Sequence, residues 1–224
     1  MGKGGAMAFG YFLAAAGLAL LAAATPAGAN PIGPPPLSCP NNTCQGSSYE
    51  LTYSGSPISS SATTQTFEIT LSINPSGYTG GGAFIDNVAP KVSSSVSTGS
   101  LVSAPGSVGD WTVFLSGINA GGCSMAGSGF VCAGDAPPPN AAPLPFAGTY
   151  TWVFDLTIPT GSLLTGANAA SIKVRYSDAS GNKVGTLVSE PITLEVIPEP
   201  STLLLVGIGL GLISTRRRPT ARPR

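Results

Sequence analysis

Tyr150-Thr151-Trp152-Val153-Phe154-Asp155-Leu156-Thr157-Ile158 places a large apolar side chain at every second position. In an extended chain successive side chains point to opposite faces. Tyr150, Trp152, Phe154, Leu156 and Ile158 therefore share one buried face, and the residues between them share the other. A helical period of 3.6 would scatter the same five residues around a cylinder. The stretch is a strand, and it is the strongest inward face in the chain.

The same alternation recurs on both sides of it. Phe67, Ile69, Leu71 and Ile73 share a face opposite Thr66, Glu68, Thr70 and Ser72. Trp111, Val113 and Leu115 alternate likewise, as do Ile172, Val174 and Tyr176 against Lys173 and Arg175. Ile192, Leu194 and Val196 form the last strand. Gly, Pro and Asn turns separate these runs and no helical period intervenes, so an all-β, antiparallel β-sandwich or jelly-roll-like single domain is expected. Asp178-Ala179-Ser180-Gly181-Asn182 is a turn between two strands, and Pro137 to Pro145 is a surface connection. Roughly 150 residues make one domain that buries about 70% of its unfolded surface.

Residues 47–196 are this body. Residues 30–46 are a proline-rich lead-in with Cys39 and Cys44, of which Pro31 to Pro40 is expected to be extended. Residues 1–29 have the order of a secretory signal peptide: Lys3, an apolar run from Ala6 to Ala24, then Ala27-Gly28-Ala29, an A-x-A-like site that places the mature start at Asn30. An uncleaved signal anchor is the competing reading, because the apolar run is long. Both readings export the chain.

Residues 197–224 read differently. Ile197-Pro198-Glu199-Pro200-Ser201-Thr202 precedes an apolar run from Leu203 to Ile213, closed by Arg216, Arg217 and Arg218. The arginines mark the cytoplasmic side, which puts the body across the membrane. Pro198 and Pro200 lack a backbone N–H and force their predecessors towards extended conformations. Glu199 is costly in hydrocarbon and holds the tripeptide at the interface. A helix over about 202–215 rises about 21 Å at 1.5 Å per residue, short of a lipid core of about 30 Å. That is a weak permanent anchor and an adequate temporary one. A tail anchor that is never cut is the alternative. Gly207 and Gly211 form a GxxxG pair, common in such helices.

Tripeptide, apolar run and arginines in this order resemble the C-terminal sorting signal of PEP-CTERM proteins. Exosortase-type membrane transpeptidases process these in Gram-negative bacteria that make exopolysaccharide. The resemblance implies such an enzyme as partner and cleavage at or beside Pro198-Glu199-Pro200. It implies a body that is membrane-held first and then released to the cell surface or beyond. More loosely, Gly127-Ser-Gly-Phe-Val-Cys132 and Ala170 to Leu194 are similar to stretches in other exported PEP-CTERM β-domains.

Charge and cysteine usage agree with export. All ten acidic residues lie between Glu50 and Glu199, against Lys91, Lys173, Arg175 and Lys183, so the exported stretch through Glu199 carries a net charge of −6, and residues 47–196 alone carry −5. Nucleic acid and anionic lipid call for basic surfaces and are not expected partners of the body. Four cysteines suit an oxidising compartment and allow three pairings. Cys39–Cys44 with Cys123–Cys132 is favoured, since both stretches are rich in Gly, Asn and Pro and bend back readily. Zinc is the sharper alternative, but the second pair lacks the short C-x₂₋₄-C spacing.

There is no histidine. Ser-His-Asp triads, Cys-His pairs and histidine bases are therefore excluded. Carboxylates remain: Glu50, Glu68, Asp86, Asp110, Asp135, Asp155, Asp178, Glu190 and Glu195. None sits in a recognisable catalytic motif, and Glu68 and Asp155 fall on outward strand faces. No enzyme activity, cofactor or metal is expected. A structural role in the surface or exopolysaccharide matrix is the leading reading. A carbohydrate-binding module is the alternative, and it needs exposed aromatics. Tyr49, Tyr53 and Tyr78 are the aromatics least committed to the apolar faces above.

Overall fold

The computed structural model describes residues 30–124, 127–134, 136–144 and 147–197. Ala27, Ala29, Pro198, Glu199, Pro200, the apolar run and Arg216, Arg217 and Arg218 lie outside them; Asn30 is the first described residue and is exposed. In chain order the strands are β1 (Ser48–Tyr53), β2 (Ser59–Ser60), β3 (Thr64–Asn74), β4 (Phe84–Lys91), β5 (Thr98–Ser103), β6 (Thr112–Phe114) and β7 (Ile118–Asn119). They continue as β8 (Gly122–Cys123), β9 (Cys132–Gly134), β10 (Ala142–Pro143), β11 (Tyr150–Pro159), β12 (Ala170–Ser177), β13 (Lys183–Ile192) and β14 (Leu194–Val196). The described residues contain a single 3₁₀ turn, Val108–Asp110, and no helix long and apolar enough to cross a membrane.

The first sheet has the order β14-β1-β3-β11-β5, with β2 on the edge of β3; the second runs β13-β12-β4-β9-β6, with β10 on β4. The all-β, antiparallel expectation holds for every strand pair but one: β1 and β14 run parallel, with Leu51 opposite Leu194 and Tyr53 opposite Val196. Pairing of β11 with β3 sets Trp152 opposite Leu71, Phe154 opposite Ile69 and Leu156 opposite Phe67. Their side chains meet Ile85, Val88, Ile172, Val174, Tyr176 and Val188 of the second sheet in one core. Complete burial of residues such as Phe154 and Leu156 contributes about 1.5–3 kcal/mol each. Trp111 packs edge-on to Trp152, with ring centroids 5.5 Å apart, and donates from Nε1 to Pro105 O.

Four departures from the expected pattern have physical causes. First, β4 is central to the second sheet although Asp86, Asn87 and Pro90 break its apolar alternation. The β7–β8 hairpin and the segment around Phe130 cover its outer side, where Ala89, Ile118, Phe130 and Cys132 form a small second core. Second, Arg175, expected on an outward strand face, is buried under that cover. Third, Leu115, expected inward, is 52% exposed, because β6 ends at Phe114 on the sheet edge. Fourth, the proline-rich segment is not an extended leader. Ile32 is buried and pairs with Tyr49, and residues 33–46 turn back onto the body.

Candidate sorting site

The chain leaves the body by switching sheets. β13 ends beside β12 in the second sheet, and after Thr193 the chain joins the first sheet as β14. The hydroxyl of Thr193 accepts from the Asn168 N–H at this crossing. Leu194 is buried in the core and anchors the short strand. Pairing then continues one residue past the strand: the Ile197 N–H donates to Tyr53 O at 2.8 Å. Val196 and Ile197 are 40% and 48% exposed. The next residue is Pro198, so nothing separates the folded body from the tripeptide.

Both favoured disulfides are present, Cys39–Cys44 and Cys123–Cys132, with Cα atoms 6.1 and 5.7 Å apart. The first closes a loop over the exposed edge of β13. Glu190, on β13 and almost fully buried, accepts from the backbone N–H groups of Asn41 and Thr43, each at 2.7 Å, and from the Thr43 hydroxyl. Asn41 Nδ2 reaches Ser189 O, and Thr43 Oγ1 accepts from the Ser189 N–H. A loop laid along a strand in this way blocks edge-to-edge pairing. Cys39, Cys44 and Glu190 stand close enough together to resemble a metal-ligand group. Sulfurs bonded to each other offer no thiolate, so the zinc alternative loses its ligands.

The remaining carboxylates are dispersed. Asp86 is paired with Arg175, whose other nitrogens donate to Ala120 O and Gly181 O. Asp178 caps its own turn by accepting from Ser180 and Asn182, and its pKa is lowered chiefly by the Asn182 backbone N–H and then by the Asn182 side chain. Glu68 and Asp155 stand directly opposite each other on the outward face of the first sheet. That face is flat. Concavities of about 170, 240 and 200 Å³ lie beside Tyr49 and Glu50, inside the Cys39–Cys44 loop, and between Asp110 and Tyr150, and none includes the Glu68–Asp155 pair. Each is smaller than the ~300–1,000 Å³ usual for small-molecule sites.

The aromatics expected to be exposed are not. Tyr49 and Tyr53 are buried, and Tyr53 packs edge-on to Phe67. Tyr78 stacks on Tyr176 with centroids 4.5 Å apart. The hydroxyls of Tyr49 and Tyr176 are hydrogen-bonded to each other, Tyr176 reaches Ser47 Oγ, and Tyr49 donates to Cys44 O. Tyr49 and Tyr176 tie the lead-in loop to the second sheet, the rings of Tyr49 and Tyr53 are buried, and the half-buried Tyr78 ring is stacked on Tyr176. Phe130 is likewise occupied, with Lys173 and Lys91 over its ring at 4.8 and 5.6 Å.

Compared with known proteins, the chain carries a PEP-CTERM protein-sorting motif over residues 196–218. The match starts at the last residue of β14 and includes Pro198, Glu199, Pro200 and Arg216 to Arg218. Such a motif marks an exported protein with a C-terminal, membrane-associated sorting signal and an exosortase-type processing partner. No curated protein and no solved structure matches the chain.

Proposed function

We propose that the chain is a structural protein of the cell surface or exopolysaccharide matrix. Residues 1–29 direct its export and are removed after Ala29. The apolar run and the arginines hold it in the membrane with the body outside. An exosortase-type enzyme then cuts at or beside Pro198-Glu199-Pro200. One observation supports this reading most: the sorting motif begins inside the last strand of a disulfide-bonded β body, so the folded unit and the signal are joined without a spacer.

The body is proposed to be non-catalytic and to need no cofactor. Among the described carboxylates, Asp178 is held in a turn, Glu190 in a loop clamp and Asp86 in an ion pair, and Glu68 and Asp155 lie on the outward face of the first sheet. Contact with exopolysaccharide, which belongs to the same proposal, falls to the hydroxyl-rich outward face of the first sheet, which carries Thr66, Thr70, Thr157 and Ser100. The burial of Tyr49 and Tyr53 and the stacking of Tyr78 weigh against a carbohydrate-binding module built on aromatic platforms. Replacing Pro198, Glu199 and Pro200 together by alanine tests the processing step. The variant is expected to remain membrane-bound and uncut. A variant shortened like the wild type would refute the role given to the tripeptide.

A further inference from the structure

The described residues expose six large apolar side chains: Ile58, Val102, Val108, Leu115, Val196 and Ile197. Three of them flank the point where the chain leaves the body. Beyond Tyr53 the chain turns through Ser54-Gly55-Ser56-Pro57-Ile58 before β2 resumes pairing on β3. This turn runs against the exit strand. A Cβ built on Gly55 would stand 2.8 Å from Val196 Cγ1 and 3.9 Å from Ile197 O. Ile58 is fixed by its N–H to Thr66 O at 2.8 Å, and its side chain is 55% exposed. No residue of the turn is charged. The turn is thus an uncharged, apolar stretch at the root of the sorting motif, and on the exit strand Glu195 directly precedes Val196 and Ile197.

Covalent geometry says what must come to this corner. A cut at or beside Pro198-Glu199-Pro200 lies within three residues of Ile197, at most about 10 Å of extended chain. An enzyme that grips peptide on both sides of the bond reaches Val196 and Ile197. Those residues are held by β1 and are not free strand. The lipid is farther off, since the apolar run starts only at Leu203. From this geometry we infer that Ile58, Val196 and Ile197 form a docking surface for the membrane enzyme that processes the motif. The enzyme then reads a folded corner as well as the tripeptide. This rests on the sorting reading above.

The test follows precursor shortening of the full chain in a host that carries the exosortase-type enzyme. Ile58→Asp lies outside the motif, and its backbone hydrogen bond to Thr66 does not depend on the side chain. It is expected to slow shortening about tenfold, the loss from removing one buried aliphatic contact. Inserting about six Gly and Ser residues between Ile197 and Pro198 separates corner from motif and is expected to slow it comparably. Val102→Asp, an equally exposed apolar position on β5, controls for surface charge and is expected to be processed at the wild-type rate. A photoreactive benzoylphenylalanine at position 58 is expected to crosslink to the exosortase-type enzyme, identified by mass spectrometry. Unchanged or faster shortening of Ile58→Asp or of the insertion, equal slowing by Val102→Asp, or adducts to lipid alone would overturn the docking surface. A wild-type chain that is never shortened would instead refute the sorting reading itself.

Discussion

The Ile197 N–H donates to Tyr53 O at 2.8 Å, so backbone pairing in the first sheet reaches the residue immediately before Pro198. Proline has no N–H to continue such a ladder, which makes it a natural stop for the sheet. Under the proposed function, Pro198 is also where the segment read by the processing enzyme begins.

Glu190 is the clamp of the Cys39–Cys44 loop. Replacing it by alanine leaves the Asn41 and Thr43 N–H groups without their acceptor. Hydrogen bonds to a charged group contribute about 1.5–3 kcal/mol, so Glu190→Ala should cost about 2 kcal/mol. The expected readout is a lower urea midpoint with an unchanged m-value. A midpoint equal to wild type would mean that the loop does not stabilise the edge.

The Asp86–Arg175 pair, made through Asp86 Oδ2, is buried beneath the β7–β8 hairpin, and Asp86 Oδ1 has no hydrogen-bond partner among the described residues. Removing one partner of a buried pair strands a charge. Arg175→Met should cost about 3–5 kcal/mol, and the double variant Asp86→Leu with Arg175→Met should recover much of that. Chemical denaturation of the three proteins decides it. A double variant less stable than Arg175→Met would contradict this account.

The tyrosine cluster makes the body sensitive to alkali. Burial pushes the Tyr176 phenol up to about 12 and raises Tyr49 well above its ordinary value, with Tyr176 adding repulsion to the latter. An unfolded tyrosine titrates near 10. The folded state thus favours the neutral phenols. Their contribution is fully present below about pH 10 and is lost as pH rises through about 12. Phenolate absorbance should show tyrosines that ionise only as the fold opens, and Tyr49→Phe with Tyr176→Phe should flatten the alkaline loss. Ordinary titration of every tyrosine with the fold intact would contradict the cluster.

Much of this body can be read from period two alone. β3 and β11 keep the alternation along their length and β12 keeps it as far as Val174, and their inward residues are in the core. Both disulfides follow from local cysteine pairs in bending segments. What period two does not carry is the partner of each strand. Ile192 and Leu194 keep the alternation and are both buried, although one lies in the second sheet and the other in the first. β4 escapes notice because the hairpin that covers Asp86 and Asn87 comes some thirty residues later in the chain. The tyrosines were misplaced for a similar reason. Tyr49 is hydrogen-bonded to Tyr176, which stands on β12 far along the chain and also reaches Ser47 beside Tyr49, so its burial depends on a long-range contact. The tripeptide was legible because its chemistry is local, and its attachment to a hydrogen-bonded strand was not.

The central claim is that the chain is shortened at its sorting motif. Intact-mass measurement of the mature protein, recovered from the cell surface or medium of a host that carries the exosortase-type enzyme, tests it most directly. The account predicts a species that begins at Asn30, ends at or beside Pro198-Glu199-Pro200, and keeps both disulfides. A mature protein that still carries Arg216, Arg217 and Arg218 would contradict it and leave the tail as an uncut anchor.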